Sequence, residues 1–245
     1  MVILLRKRDL VLSCLFCCFF FGLAAVLWRG NAVPAFHVRE EVPVTVVIDP
    51  GHGGEDGGAV SPGGVPESQI NLAVSLRVHD LLRFAGQRTR LTRDGDETIC
   101  DQGLDTMRQR KVSDLKNRVK LVEETENAIL LSIHQNSLPS SPVTHGAQVF
   151  WNRQEGAESL AGSIQEALNA AVNGGNDKRP RQIPDSIYLM KNITAPGVLV
   201  ECGFLSNAPE TERLQDPAHQ LRLGFAVTAG YLNAGNGETE FGELE

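Results

Sequence analysis

The sequence predicts an α/β domain, a three-layer αβα arrangement in which a mixed, mostly parallel sheet carries helices on both faces. Short apolar runs rich in β-branched residues alternate with longer segments in which apolar residues recur every three or four positions. The short runs are typical of buried strands, and the longer segments are typical of amphipathic helices. Strands that alternate with helices indicate a parallel sheet, because the helices form the crossover connections.

The first half of the domain predicts three strands and two helices. In chain order they are a strand at 44–48, a helix at 68–85, a strand at 89–92, a helix at 113–126 and a strand at 128–133. Gly86 follows the first helix, in the position where glycine commonly ends a helix. The polar stretch 94–110 has no apolar period, so we expect it to be an exposed loop.

The second half continues the alternation with three strands and two helices. In chain order they are a strand at 146–151, a helix at 157–172, strands at 187–190 and 197–201, and a helix at 218–232. The stretch 173–183 is rich in Gly, Asn and basic residues, which is typical of a loop. Residues 233–245 form a Gly- and Glu-rich acidic tail that we expect to be disordered.

The N-terminus predicts a membrane or signal segment. Basic residues at 6–8 precede residues 10–28, which contain no charged side chain. A helix of that length spans about 28 Å, close to the thickness of a bilayer core. The basic flank 1–9 should stay in the cytoplasm. The length favours an uncleaved anchor over a signal peptide cleaved near 33–35. Residues 29–43 then form a linker to an extracytoplasmic domain.

Charge and cysteine content exclude two classes of function. The net charge is −7, and no stripe of Lys and Arg interleaves with aromatic residues, so nucleic acid is not an expected partner. Three of the five cysteines, Cys14, Cys17 and Cys18, lie within the apolar N-terminal segment. Cys100 and Cys202 are far apart and form no CxxC motif, so a thiolate zinc site is not indicated.

Four titratable side chains occupy comparable places in the predicted topology. His52 follows the first strand, His134 follows the strand 128–133, and Glu201 ends the strand 197–201. Glu67 stands just before the first helix. Because the carboxyl ends of parallel strands meet at one edge of a sheet, we expect these groups to share a small volume.

Such a set suits a catalytic zinc ion. These sites use three N or O ligands and keep one position open for water, so two histidines and one glutamate would bind the metal and the second glutamate would act as general base. Bound zinc lowers the pKa of water from 15.7 towards about 7. The chain has no HExxH motif, so on spacing alone unrelated turn and surface residues remain an alternative.

Local sequence resembles that of a known enzyme family. Five ordered motifs are similar to those of the zinc-dependent N-acetylmuramoyl-L-alanine amidases of type 3, and they are IDPGHGGEDGGA at 48–59, ESQINLAVSLRVHDLL at 67–82, LTR at 91–93, LSIHQNS at 131–137 and LVECGFLSN at 199–207. The resemblance covers 44–232, the expected catalytic domain. Within the family, 114–122 and 187–197 look most like the spore-cortex, germination-associated amidases.

The resemblance implies a role for each of the four groups. His52, Glu67 and His134 fall on the ligands of one zinc ion, and Glu201 falls on the catalytic glutamate. The implied reaction is hydrolysis of the amide between the lactyl group of N-acetylmuramic acid and L-alanine in peptidoglycan, with a role in spore cortex maturation. The implied partners are a muropeptide substrate and the cell membrane, through the N-terminal segment.

Other readings stay open from the sequence. Another zinc hydrolase of this scaffold, such as a stem-peptide carboxypeptidase, and a non-catalytic wall-binding protein are the alternatives. Gln135 replaces a residue that is usually small in the family and could alter substrate contacts. Arg93 and Arg118 either contact muropeptide carboxylates or pair with acidic neighbours. Asp49 either caps the turn or orients His52.

Overall fold

The computed structural model of the chain describes residues 43–237, with their side chains through residue 234. The predicted cytoplasmic flank, membrane or signal segment and nearly all of the linker lie outside the described residues, as does the tail from residue 238. No helix within the described range has the length and apolar character needed to cross a membrane.

A six-stranded mixed sheet forms the centre of the domain. Its strands are β1 (Thr45–Pro50), β2 (Arg88–Leu91), β3 (Ala128–Asn136), β4 (Gln148–Trp151), β5 (Arg181–Gln182) and β6 (Gly197–Phe204). They lie in the order β2-β1-β3-β6-β4-β5. β1, β2, β3 and β6 run parallel to one another, and β4 pairs antiparallel to β6. The predicted mixed, mostly parallel sheet is therefore confirmed.

Within residues 43–237, six α-helices and one π-helical turn connect and cover the strands. They are α1 (Glu67–Phe84), α2 (Met107–Glu123), α3 (Ala157–Leu168) with the π-turn Asn169–Asn173, α4 (Tyr188–Asn192), α5 (Ala208–Gln215) and α6 (Pro217–Gly237). Successive side chains of a strand point to opposite faces of its sheet. In β1, Ile48 belongs to the apolar cluster that contains residues of α1, α3 and α6. Val47 belongs to a second cluster with residues of α2 and α4. Helices therefore cover both faces.

Three parts of the chain differ from the sequence prediction, and they are the segment 187–190, the start of α2 and residues 233–237 of the predicted disordered tail 233–245, which form the end of α6. The segment 187–190, predicted as a strand, instead begins α4. A short apolar run does not distinguish strand from helix, and here Leu189, Met190 and Ile193 turn towards one apolar cluster at helical spacing. α2 begins inside the predicted loop 94–110, where Thr106 forms a capping box with the third residue of the helix.

The helix α5 and the two-residue strand β5 were not predicted. Asn207 caps α5 by accepting a hydrogen bond from the Glu210 backbone N–H at 2.9 Å. The N-terminal signal of that helix is therefore present in the sequence. β5 pairs through two residues of each strand, too few for a sequence period to indicate it.

A buried ion pair joins the end of β1 to α2. Arg118 is 2% exposed, and its guanidinium binds Asp49 and, at 2.7 Å, Asp114. Asp49 also accepts hydrogen bonds from the hydroxyls of Thr92 and Ser132, each at 2.7 Å. Arg118 and Asp49 are thus structural partners of one another. Their contacts fix the direction in which the chain leaves β1.

Replacing Arg118 with Met should destabilise the domain by about 3–5 kcal/mol, because two carboxylates would stay buried without their cation. Lys120→Met is the matched control on the same helix. It removes an exposed pair with Glu124, which contributes about 0.5 kcal/mol or less. Urea denaturation followed by circular dichroism measures both changes. Equal effects of the two substitutions would contradict the role given to Arg118.

Asp49→Asn should lower stability at neutral pH by an amount that shrinks in acid. Burial acts to raise the pKa of Asp49, but Arg118 and the two hydroxyls outweigh it and hold the pKa at about 2. An unfolded aspartate titrates near 3.9. The ionised carboxylate therefore stabilises the fold fully above about pH 4, and this contribution is lost as the pH falls through 2. Urea denaturation of both proteins between about pH 6 and pH 3 checks this; a constant difference would contradict it.

Candidate active site

A cavity of about 470 Å³ opens at the carboxyl ends of the parallel strands. His52 enters it from the loop after β1, and Glu67 enters it as the first residue of α1. His134 of β3 and Glu201 of β6 stand opposite one another in the register of the two strands, and both line the cavity. The structure thus brings all four predicted residues to one place.

Three of these residues form a group that could hold a metal ion. His52, Glu67 and His134 each offer one ligand atom, and these atoms lie within 4.8 Å of one another. His52 Nε2 is 3.4 Å from Glu67 Oε2, and His134 Nδ1 is 2.8 Å from Glu67 Oε1. Among the described residues, it is the one cluster of at least three His, Cys, Asp or Glu side chains that could hold a metal ion.

His52 adopts a backbone conformation that is rare for a residue with a side chain. Its φ is 60°, in the left-handed region, and such residues concentrate at functional sites. Arg118 donates to the His52 carbonyl at 2.8 Å. Asp56 lies 2.9 Å from Nδ1 of the ring. Because a carboxylate accepts hydrogen bonds, it places the imidazole proton on Nδ1 and leaves the Nε2 lone pair free.

Asp56 is in turn held ionised by its neighbours. Lys111 of α2 places its Nζ 3.0 Å from the Asp56 carboxylate. Burial acts to raise the pKa of Asp56, but His52 and Lys111 outweigh it and hold the pKa well below its usual range. The sequence analysis did not single out Asp56. Its position four residues after His52 was the available signal.

Two glycines of the loop after β1 are required by space. A Cβ on Gly51 would lie 2.2 Å from Cε1 of His134, and a Cβ on Gly58 would lie 2.6 Å from Oε2 of Glu67. Gly58 also has a φ of +71°, whereas Gly51 has no positive φ. Both glycines therefore allow the backbone to approach the imidazoles and the carboxylate closely. Gly58 also provides the positive φ that the turn needs.

The Glu67 carboxylate is buried and ionised. Burial acts to raise the pKa of Glu67, but His134, His52 and the backbone N–H of Ala59 outweigh it, and the pKa is about 2. The Ala59 N–H donates to Oε2 at 2.9 Å. Glu67 is therefore a charged donor to any cation that the two imidazoles also bind.

Glu201 differs from Glu67 in its surroundings. Its Oε2 atom is buried and has no hydrogen-bond partner among the described residues. Burial raises the pKa of Glu201 to about 7. The nearby His134 acts to lower this pKa, and the negative charge of Glu67 acts to raise it. A carboxyl group with a pKa near neutrality suits proton transfer in both directions.

Arg93 is a structural residue. It is 3% exposed and donates to four backbone carbonyls, those of Pro50, Gly51, Ser68 and Gly95. These bonds hold the loop after β1 against the start of α1. The alternative in which Arg93 contacts substrate carboxylates is therefore not supported.

Cys202, beside Glu201, is not a candidate nucleophile. It is 2% exposed, and burial raises the pKa of its thiol to about 12. The thiolate is the reactive form of cysteine, and it is scarcely populated at such a pKa. Gln135 is 3% exposed, and its side chain donates to Asn71 at 3.1 Å inside the protein.

The α/β fold and a donor set with an adjacent buried carboxyl define a hydrolase with a candidate metal centre. The chain belongs to the N-acetylmuramoyl-L-alanine amidase family, because the sequence model of that family matches residues 46–233. The family predicted from the five motifs is thereby confirmed, and the chain is an enzyme that acts on peptidoglycan.

Three relatives illustrate the similarity. The germination-specific N-acetylmuramoyl-L-alanine amidase of Bacillus subtilis is 36% identical over 187 residues, which cover 76% of this chain and 78% of the relative. The CwlD amidase of Clostridioides difficile, solved in complex with the GerS lipoprotein, is 33% identical with a TM-score of 0.75, covering 78% of this chain and 98% of that one. The catalytic domain of CwlV from Bacillus (Paenibacillus) polymyxa var. colistinus is 31% identical with a TM-score of 0.65, over 78% and 98% of the two chains.

Gly51→Ala should disturb the donor set without unfolding the domain. The new Cβ would overlap the His134 ring, so we expect divalent metal affinity to fall about 10–100-fold, as when a group supporting a ligand is lost. Gly162→Ala is the control, because nothing lies within 4 Å of its added Cβ and it sits within α3. Zinc titration against a chelator gives both affinities. Wild-type affinity in Gly51→Ala would show that the close approach is unimportant.

Proposed function

We propose that this chain uses one zinc ion, held by His52, Glu67 and His134, to cleave the amide between the lactyl group of N-acetylmuramic acid and L-alanine of the stem peptide. Glu201 is the proposed general base. The observation that carries the proposal is the convergence of three donor atoms within 4.8 Å beside a buried carboxylate oxygen that has no partner among the described residues.

The donor set fits zinc. Two imidazole nitrogens and one carboxylate oxygen are a common ligand combination for catalytic zinc, with the fourth position left open. Bound zinc would polarise the substrate carbonyl and lower the pKa of water towards about 7. Two features of the chain suit such an ion. Glu67 is an ionised carboxylate, and Asp56 holds the proton of the His52 ring on Nδ1.

The remaining chemistry falls to Glu201. A carboxyl group at the cavity wall with a pKa of about 7 can accept a proton from the attacking water at neutral pH. The same group can then donate that proton to the nitrogen of the departing L-alanine, which leaves as a neutral amine. General acid–base assistance of this kind contributes about 10²–10⁴ in rate.

The substrate reaches the site along a cavity with a mixed wall. Ile187 and Tyr188, at the start of α4, line it and are 37% and 41% exposed. Lys111 of α2 and Asn136 of β3 line it as well. Apolar and polar contacts side by side suit a substrate that joins a sugar to a peptide.

We further propose the catalytic domain at 44–232, outside the cytoplasm, with residues 10–28 as its membrane anchor or signal segment. Other relatives that are named as cell wall amidases support an extracytoplasmic site of action. The name of the Bacillus subtilis relative, a germination-specific amidase, supports the proposed function in the spore cortex.

Glu201→Gln should reduce turnover of purified muropeptides about 10²–10⁴-fold and leave zinc stoichiometry unchanged. The amide keeps the shape of the side chain and removes its proton acceptor. Turnover is followed by mass spectrometry with the full chain, and bound zinc by metal analysis. A variant that hydrolyses muropeptides at the wild-type rate would remove Glu201 from the mechanism.

The products also separate the alternatives. Intact stem peptides that begin with L-alanine are expected from the wild-type chain, and a chelator should stop their release. Shortened stems still attached to muramic acid would instead identify a carboxypeptidase. Binding to sacculi without any product from the zinc-loaded chain would identify a wall-binding protein.

A further inference from the structure

Two buried amide side chains stand behind the Glu67 carboxylate. Asn71 follows Glu67 by one turn of α1 and is 0% exposed. Its Nδ2 donates to Glu67 Oε1 at 3.2 Å and to the Gly51 carbonyl at 3.1 Å. One amide group thus joins the proposed metal carboxylate to the loop that carries His52.

Gln135 supports the orientation of the Asn71 amide that Glu67 and the Gly51 carbonyl require, because both of those partners only accept hydrogen bonds. The oxygen and nitrogen of an asparagine exchange places by a half-turn of the amide, and only one orientation donates to Glu67. Gln135 Nε2 donates to Asn71 Oδ1 at 3.1 Å. That bond requires the oxygen of Asn71 to face Gln135, so its NH₂ group faces Glu67.

Gln135 also supports Glu67 through its backbone. Its N–H donates to Glu67 Oε1 at 3.1 Å, the same oxygen that lies 2.8 Å from His134 Nδ1. Oε1 therefore accepts from the Asn71 amide and the Gln135 N–H, while Oε2 accepts from the Ala59 N–H. Both oxygens of the carboxylate are fixed in direction before any ion binds.

We propose that Asn71 and Gln135 are positioning residues, which orient the Glu67 carboxylate for the zinc ion through a chain of hydrogen bonds from Gln135 to Asn71 to Glu67. The inference rests on the zinc site of the proposed function. Neither amide is part of the donor group, so both act through Glu67. Loss of a group that orients a metal ligand typically weakens metal affinity 10–100-fold.

A second buried glutamine offers a matched control. Gln165 of α3 is 1% exposed, and its side chain accepts from the Val149 N–H at 2.9 Å and donates to the Ala147 carbonyl at 3.1 Å. It also donates to Asn169 Oδ1 at 3.0 Å, and it does not line the cavity. Its replacement costs stability through lost hydrogen bonds, with no expected effect on the donor set.

The test compares Gln135→Met, Gln135→Glu and Gln165→Met in the full chain. Met keeps the volume of the side chain but removes its hydrogen bonds. The carboxylate of Gln135→Glu accepts only, so it cannot donate to Asn71 Oδ1 and places two acceptors against one another there. Circular dichroism and urea denaturation establish folding, and competition with a chromogenic chelator gives the zinc dissociation constant.

We expect the zinc dissociation constant to rise about 10–100-fold in both Gln135 variants and to stay at the wild-type value in Gln165→Met. At saturating zinc, the turnover number of Gln135→Met should return towards wild type, because a positioning residue does not touch the reacting atoms. Either Gln135 variant suffices if the other fails to fold.

Wild-type zinc affinity in a folded Gln135 variant would overturn the inference and leave the proposed zinc site standing. The same result follows if Gln165→Met weakens zinc binding as much as Gln135→Met, because the effect would then be general destabilisation. A wild-type chain that binds no zinc would overturn the metal site and this inference with it.

Discussion

The carboxylate of Glu67 is the constraint around which the site is built. It is buried at the start of α1, and it is in contact with both imidazoles, one from the loop after β1 and one from β3. A buried carboxylate is stable only when its lone pairs are satisfied and its charge is balanced. The hydrogen bonds of Ala59, Asn71 and the Gln135 backbone satisfy the lone pairs. A cation between the imidazoles would balance the charge.

The parts of the fold that surround Glu67 exist to bring these donors within reach. Parallel pairing of β1, β3 and β6 places the ends of three strands at one edge, and the glycines after β1 let the backbone pass close to the His134 ring. The buried pair of Arg118 and Asp49 then fixes the loop against α2. His52 stays in a strained backbone conformation because these contacts leave it no other.

Much of this could be predicted from the sequence, and the failures have physical causes. Five of the six strands, all except β5, follow from their apolar runs. The four polar residues of the site follow from their places at strand ends and at the start of a helix, since the topology of parallel sheets is restrictive. The sequence could not distinguish the helix at 188–192 from a strand, because the segment is too short to show a helical period. Its structure depends on packing against the apolar cluster that includes Ile193.

The supporting residues were harder to predict than the four site residues. Arg118 binds Asp49 on another element, and Asn71 donates to the Gly51 carbonyl in the loop after β1. Nothing in their local sequence indicates these partners. For this reason the sequence alone does not decide whether Arg93 and Arg118 contact substrate or neighbouring protein groups. Both side chains are almost completely buried, which local sequence does not reveal, and this burial indicates a structural role.

The most direct test is X-ray absorption spectroscopy at the zinc edge on the zinc-loaded full chain. The account predicts one zinc ion per chain with nitrogen and oxygen neighbours at about 2.0–2.2 Å, including the outer-shell scattering of two imidazole rings. A sulfur neighbour near 2.3 Å, or a shell of water without imidazole, would contradict it.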